Sequence, residues 1–298
     1  MSSHTALSYC LFEPITVHPH RTWDEDRLDK KRYWYNIPAL YITNKILYPD
    51  YDMVFYVTEN LKYHPLYSIL NELEITIKEV NIPFDKTSEP MLWRLMSLWE
   101  NYDCVFTRDV DSIPNRNEFL CTEFFKNSEF AIQTIRSHEN HYHNMGCDML
   151  GGLSGFKPQK IEKLPSSFEE YYSMRSSLPW AQDQLLMVNV FVNEQSRTFL
   201  EKNFLDCPID NQNRKAVFLH TRITEEKMNS VTVTEDQENV LRLIEELKLT
   251  DWAGEPSSVL GKNLNRFLEL DNEHSSSVKK LLDKNRVLKE FYYENIHK

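Results

Sequence analysis

Glycine is scarce in this chain, with six in 298 residues, and no block of Lys or Arg, no C-x-x-C pair and no long apolar run makes up for it. Each shortage excludes something. The cysteines, Cys10, Cys104, Cys121, Cys147 and Cys207, are odd in number and scattered. That argues against a secreted disulfide framework and points to a reduced, intracellular compartment. No stretch approaches the roughly 20 apolar residues of a membrane span, and the first ten residues carry neither a basic start nor an apolar signal core. A soluble, unanchored protein with no membrane span is expected. With 34 basic against 45 acidic residues the formal charge is −11, which argues against an extended polyanion surface but leaves a local basic patch open. The length suits one large domain, or one domain with a helical appendage.

What is there centres on Asp103-Cys104-Val105-Phe106-Thr107-Arg108-Asp109-Val110-Asp111-Ser112-Ile113-Pro114. A short apolar run reads as a buried strand, and it ends in two acids one residue apart before a proline turn. Carboxylates at the carboxyl end of a strand in an α/β sheet lie where such sheets bind ligands. All-oxygen ligation suits Mg²⁺ or Mn²⁺, so Asp109 and Asp111 are read as metal ligands.

The rest of the chain supplies the elements around that motif. Strands are expected over 6–12, 53–58, 75–80, 103–108, 130–135 and 216–219. Helices are expected over 33–47, 65–73, 89–102 and 118–126, with Pro38 imposing a kink or a late start on the first. Strands separated by helices of this length pair in parallel through crossovers, so the fold class is α/β, a mostly parallel sheet flanked by helices. From residue 235 the apolar spacing turns helical, over 240–247, 259–270 and 278–296. Domain boundaries follow: a catalytic domain over 1–224 and a helical C-terminal region over 225–298 packed on it.

Four of the six glycines fall within ten residues, Gly146, Gly151, Gly152 and Gly155. Glycine permits positive φ or close approach of backbone to a ligand. The stretch is either a substrate-contacting loop or a pair of tight turns around a buried strand. His138, His141 and His143 precede it, without the paired cysteines that make zinc spacing specific. Asp183 opens the apolar run 185–192 and is either a helix cap or a group facing the reaction. Arg94 and Arg108 are candidates either for neutralising a diphosphate or for ion pairs with the two acids.

The order of elements resembles the GT-A (Rossmann-like) glycosyltransferases, which move a sugar from a nucleotide-sugar held by a D-x-D metal motif. The resemblance runs to about Ile223, through Trp93-Arg94, Arg108-Asp109-Val110-Asp111-Ser112, the segment Leu150-Gly151-Gly152-Leu153-Ser154-Gly155-Phe156 and Asp183-Gln184. It implies a metal-dependent hexosyl- or pentosyltransferase with a nucleotide-sugar donor, a UDP-sugar first of all. The acceptor is a glycan, a lipid, a protein or a modified nucleic-acid base. Phe12, Glu13 and Thr58 would then border the nucleotide, Gly151, Gly152 and Gly155 the sugar, and Asp183 the sugar or acceptor, with Arg94 beside the diphosphate and Arg108 assisting at the reacting centre. A late histidine completes the metal site in several relatives, which nominates His220; a core or surface histidine is the competing reading. The second acid of the Asp-Gln-Asp form found in some retaining relatives is missing, and the stereochemical course stays open. Relatives without a membrane span are of a soluble bacterial or viral type, so the cytoplasm of a bacterium or of an infected host cell is expected. Two rival readings use the same residues: a phosphatase of the haloacid-dehalogenase type with Asp109 as nucleophile, and a non-catalytic sugar-binding protein.

Overall fold

The structure is a computed structural model that describes residues 4–12, 33–64, 67–73, 75–84, 89–136, 149–175, 182–208, 221–247, 263–270, 272–284, 286 and 289. Its centre is a mixed sheet. In chain order the strands are β1 (Thr5–Leu11), β2 (Tyr51–Thr58), β3 (Thr76–Val80), β4 (Cys104–Arg108), β5 (Ile132–Arg136), β6 (Leu153–Phe156), β7 (Phe204–Pro208) and β8 (Thr221–Arg222). They lie in the order β3-β2-β1-β4-β6-β5-β7-β8. β1 pairs in parallel with β2 and β4, as do β2 with β3, β5 with β7 and β7 with β8; only β6 runs against its neighbours, β4 and β5. The expected α/β class, a mostly parallel sheet flanked by helices, is what the chain forms. The expected strand over 216–219 lies outside the described residues.

Two connections from β1's neighbourhood run in opposite directions across the sheet, to β2 and β3 on one side and to β4 on the other. The crevice where such an order reverses is the ligand site of open α/β sheets. Beside it, β6 enters antiparallel to β4, with Leu153 opposite Arg108 and Gly155 opposite Phe106. The residues just before β6 are therefore carried to the end of β4.

Each face of the sheet has its own core. On one, Leu7, Phe55 and Phe106 pack with helix α1 (Ile37–Leu47), α3 (Arg116–Lys126) and the C-terminal helices, which contribute Val240, Phe267 and Leu281 to the same cluster. On the other, Ala6, Val54 and Val105 pack with Trp93, Tyr171, Met187 and Phe191. Burying each large side chain stabilises by about 1.5–3 kcal/mol. Helix α1 resolves the expectation at Pro38 as a late start: a 3-10 turn, Trp34–Asn36, leads in, and Pro38 sits in the first turn, where its missing N–H costs nothing. The short helix between β2 and β3, α2, covers Ser68–Glu72. Residues 90–99 were expected as α-helix; they form instead a 3-10 segment, Pro90–Trp99, which brings every third side chain into line. No helix among the described residues is long and apolar enough to cross a membrane.

Candidate active site

Arg94 is fixed by the line that the 3-10 segment creates. Arg94 and Ser97 face β1: the Ser8 hydroxyl donates to the Arg94 carbonyl (2.6 Å) and meets the Ser97 hydroxyl (2.9 Å), which in turn meets the Tyr56 hydroxyl (2.8 Å). The Arg94 backbone is thus anchored over β1, leaving its guanidinium to reach past the end of β4. There it is shared. Its Nη1 donates to Asp109 Oδ1 and its Nη2 to Asp183 Oδ2.

The three groups differ in their access to water. The side chains of Arg94 and Asp183 are 4% and 3% exposed, whereas Asp109 is 48% exposed. Burial works against the Arg94 charge, but the Asp109 and Asp183 carboxylates outweigh it and hold the guanidinium firmly cationic. Asp183 lies in the first turn of α5 (Gln182–Val188), which follows α4 (Phe168–Ser173). It serves as the buried counter-ion of Arg94.

Asp109 and Asp111 stand on one tight turn. The Ser112 N–H (3.2 Å) and hydroxyl (3.0 Å) both donate to the Asp109 carbonyl, and Val110 and Ile113 are buried beneath. Asn115 then caps α3 by accepting from the Glu118 N–H at 2.9 Å. Both acids of the turn are partly exposed.

Gly151 and Gly152 are the central residues of a second tight turn, closed by the Leu153 N–H donating to the Leu150 carbonyl at 3.1 Å. This turn presses directly on the acidic one. A Cβ at Gly151 would overlap Asp183 Oδ2 and Arg94 Nη2, and a Cβ at Gly152 would overlap the Asp109 carboxylate. Neither glycine takes the left-handed backbone, so close approach is what requires them. Gly155 lies elsewhere, inside β6, where a Cβ would meet Phe106 Cε1 at 2.8 Å and Gln133 Oε1 at 3.0 Å.

Of the residues nominated from the sequence, Arg94, Asp109, Asp183, Gly151 and Gly152 come together, with Asp111 on the same turn. Phe12 follows the end of β1, and Thr58 ends β2 with its hydroxyl buried and without a hydrogen-bond partner among the described residues. Arg108 is not brought to the cluster. Strand alternation sends it to the opposite face, where its Nε is 2.7 Å from Glu118 Oε1 and its Nη2 donates to Thr122 at 2.9 Å. Glu13, His220 and the histidines at 138, 141 and 143 lie outside the described residues. Ser8, Ser97 and Tyr56, which anchor the Arg94 backbone, were not anticipated; their signal was the i, i+3 spacing of Arg94 and Ser97. The Cys10 thiol, close to Arg94, is pushed up to about 12 by burial, with Arg94 opposing only in part, so it is no thiolate nucleophile at neutral pH.

Among the described residues no group of three or more His, Cys, Asp or Glu is arranged to hold a metal. Two hard carboxylates on one partly exposed turn are nevertheless a donor set that fits Mg²⁺ or Mn²⁺, ions that take few protein ligands and complete their shell with phosphate and water.

No protein-family model matches the chain, and no curated protein matches it in sequence. Among solved structures it is similar to glucosyl-3-phosphoglycerate synthase from Mycobacterium tuberculosis in complex with phosphoglyceric acid, at 9% identity and a TM-score of 0.42, over 84% of this chain and 82% of that one. It is also similar to S. aureus TarS 1–349 in complex with UDP-GlcNAc, at 13% identity and a TM-score of 0.43, over 89% of this chain and 73% of that one. Likenesses this distant say nothing of what the chain binds or does.

Proposed function

We propose that the chain is a metal-dependent glycosyltransferase that takes a sugar from a nucleotide-diphosphate donor, a UDP-sugar first of all, and that Asp109 and Asp111 hold Mn²⁺ or Mg²⁺ against the diphosphate. The observation that carries this reading is the sharing of one buried guanidinium between Asp109 and Asp183 at the carboxyl edge, beneath two glycines with no room for a side chain. A purely structural ion pair would have no use for a half-exposed acid on a turn that also presents a second one. When bound, the cation supplies positive charge that neutralises the departing nucleoside diphosphate.

The chain's own groups divide the remaining work. Arg94 orients Asp109 and keeps one carboxylate oxygen directed away from the cation. Asp183, dry and salt-bridged, lies on the sugar side and fixes Arg94 in turn. The Gly151–Gly152 turn lets backbone approach the sugar. Phe12 and Thr58 border the nucleotide, with Glu13 beside them. His220 is the further candidate ligand, since a neutral imidazole suits Mn²⁺ better than Mg²⁺. The acceptor is a glycan, lipid, protein or modified nucleic-acid base, and the compartment is the cytoplasm.

Thermal stabilisation by a panel of nucleotide-sugars with Mn²⁺ tests the reading, because a ligand at about 100 times its Kd adds about 2.7 kcal/mol. Stabilisation by one nucleotide class, with metal-dependent hydrolysis of that donor, is expected. Release of phosphate from monoesters instead would make Asp109 a phosphatase nucleophile, and binding without turnover would leave a sugar-binding protein.

A further inference from the structure

Three sulfur atoms from separate parts of the chain meet on the α3 face of the sheet. Cys121 lies in α3, Cys207 in β7 and Met228 at the end of the short helix Glu225–Met228. The Cys121 thiol donates to Met228 Sδ across 3.6 Å, and the Cys207 thiol is hydrogen-bonded to Cys121. Gln133 of β5 braces the pair: its Nε2 donates to the Cys121 carbonyl at 2.7 Å and to Cys207 Sγ at 3.3 Å. Both thiols are free and buried, whereas Met228 is only partly buried. Packing accounts for a buried cysteine, which behaves as a small apolar side chain. What packing does not supply is a use for an amide donor aimed at a sulfur, which is a weak acceptor as a thiol and a much stronger one once ionised.

A metal–sulfur bond is about 2.3 Å long, so two sulfurs 3.6 Å apart can share one ion. Three sulfurs fall short of the four ligands that structural Zn²⁺ takes, and a thioether is a soft donor; together they select Cu(I). Independently of the reading of the acidic turn, we infer that Cys121, Cys207 and Met228 form a binding site for one Cu(I) ion, which ties β7 and the helix Glu225–Met228 to α3. Burial first, then the neighbouring Cys121, pushes the Cys207 thiol well above its ordinary value, with Gln133 opposing only in part, so without a metal Cys207 keeps its proton. Cu(I) displaces the two thiol protons to solvent and forms two copper–thiolate bonds and one thioether bond, with no change of oxidation state. Gln133 then donates to a thiolate rather than a thiol. Met228, the one ligand that reaches toward solvent, gives the ion its way in.

Anaerobic titration of the reduced protein with Cu(I), in competition with the chromophoric chelator bathocuproine disulfonate, is the test. One Cu(I) per chain should be retained by the wild type and by Cys10→Ser/Cys147→Ser, which keeps all three ligands. Because protons leave as the metal binds, its affinity should rise with pH. Cys207→Ala should weaken copper by at least about 100-fold, the upper end of what losing a supporting group costs a metal site. Met228→Leu, a swap of similar volume that cores tolerate, should weaken it by about 10-fold. Should Cys207→Ala fail to fold, Met228→Leu still decides, since a side chain that only packs leaves copper affinity unchanged. Copper held equally by the wild type and Met228→Leu overturns the inference. Copper lost in Cys10→Ser/Cys147→Ser, or given up entirely to the chelator by the wild type, overturns it as well.

Discussion

At the end of β4 two neighbouring residues, Arg108 and Asp109, enter two arginine–carboxylate clusters on opposite faces of the sheet, and the clusters are built to different ends. On one face Arg108 and Glu118 are both dry, at 4% and 1% exposed, with Thr122 and the Thr107 carbonyl taking further donors. On the other, Arg94 is as dry as Arg108, but one of its two partners stands half in water. A closed pair has only a structural use. An open one keeps a carboxylate available, and that asymmetry, more than the presence of the motif, singles out the face proposed to hold the ligand.

The largest expected effect is on the closed side. Glu118→Ala leaves Arg108 buried without its counter-ion, which should cost about 3–5 kcal/mol in urea unfolding. Asp109→Ala leaves Arg94 still paired with Asp183, so its stability should stay within about 1 kcal/mol of wild type. A Glu118→Ala protein as stable as wild type would break the contrast. Activity should reverse the ranking: Asp109→Ala or Asp111→Ala should lower metal-dependent transfer by at least about 100-fold in kcat/KM, equivalent to about 2.7 kcal/mol of barrier. Activity surviving in either variant under excess chelator would remove the acids from the metal site.

The glycines sharpen the same division at smaller scale. Gly155→Ala places a methyl against Phe106 in the core and should destabilise by about 1–3 kcal/mol with little change in KM. Gly152→Ala pushes on the half-exposed Asp109 carboxylate, which can yield, and should raise KM for donor or acceptor with a smaller loss of stability. Matching kinetics in the two variants, with a lower melting point in both, would reduce Gly152 to a turn residue.

Much of this division is legible in the sequence, and the remainder fails for identifiable reasons. The strand before the acids shows as an apolar run because β4 is buried on both faces, but Arg108 is nominated together with Asp109, although period-two alternation sends the two to opposite faces. What the period cannot say is which face holds the ligand. That depends on Glu118 arriving ten residues later on α3 and on Asp183 arriving 89 residues after Arg94, and pairings so distant leave no local pattern. The apolar spacing of residues 90–99 fits α and 3-10 turns alike, so the alignment of Arg94 with Ser97 over β1 was hidden. β6 is four residues long with a glycine inside it, so it shows only as one of two alternatives, a buried strand between tight turns, although it carries Gly151 and Gly152 to the acids. The C-terminal helices read from their apolar spacing as a region packed on the first domain, and Val240, Phe267 and Leu281 join the core of α1, while Arg116 ties α3 to Glu238 (2.8 Å) and Glu245 (2.7 Å) across 129 residues at most.

The same strands offer an internal control at their other end, where the smallest effect is expected. Just before β1, His4 gathers the amino ends of three strands: its Nε2 is 2.8 Å from Asp52 Oδ2 in β2, its Nδ1 is 2.8 Å from the Asn101 carbonyl, and its backbone N–H donates to Asp103 before β4 at 2.9 Å. The Tyr102 ring lies tilted against the imidazole, with centroids 4.5 Å apart. The Asn101 carbonyl first, with help from the Asp52 and Asp103 carboxylates, raises the imidazole above its ordinary value of about 6.5 and outweighs the opposing effect of burial. A group raised on folding contributes stability that is fully present below its unfolded pKa and is lost as pH rises through the folded one. The wild type should therefore lose a little stability that His4→Gln does not as pH rises past the ordinary imidazole value, and the exposure of the pair limits the difference to about 0.5 kcal/mol. Transfer activity should follow the same pH profile in both proteins, because His4 acts at the amino ends of strands whose carboxyl ends hold Asp109. Parallel stability curves would remove the imidazole from the clasp, and a shifted activity profile would mean that the two ends of β1, β2 and β4 are coupled.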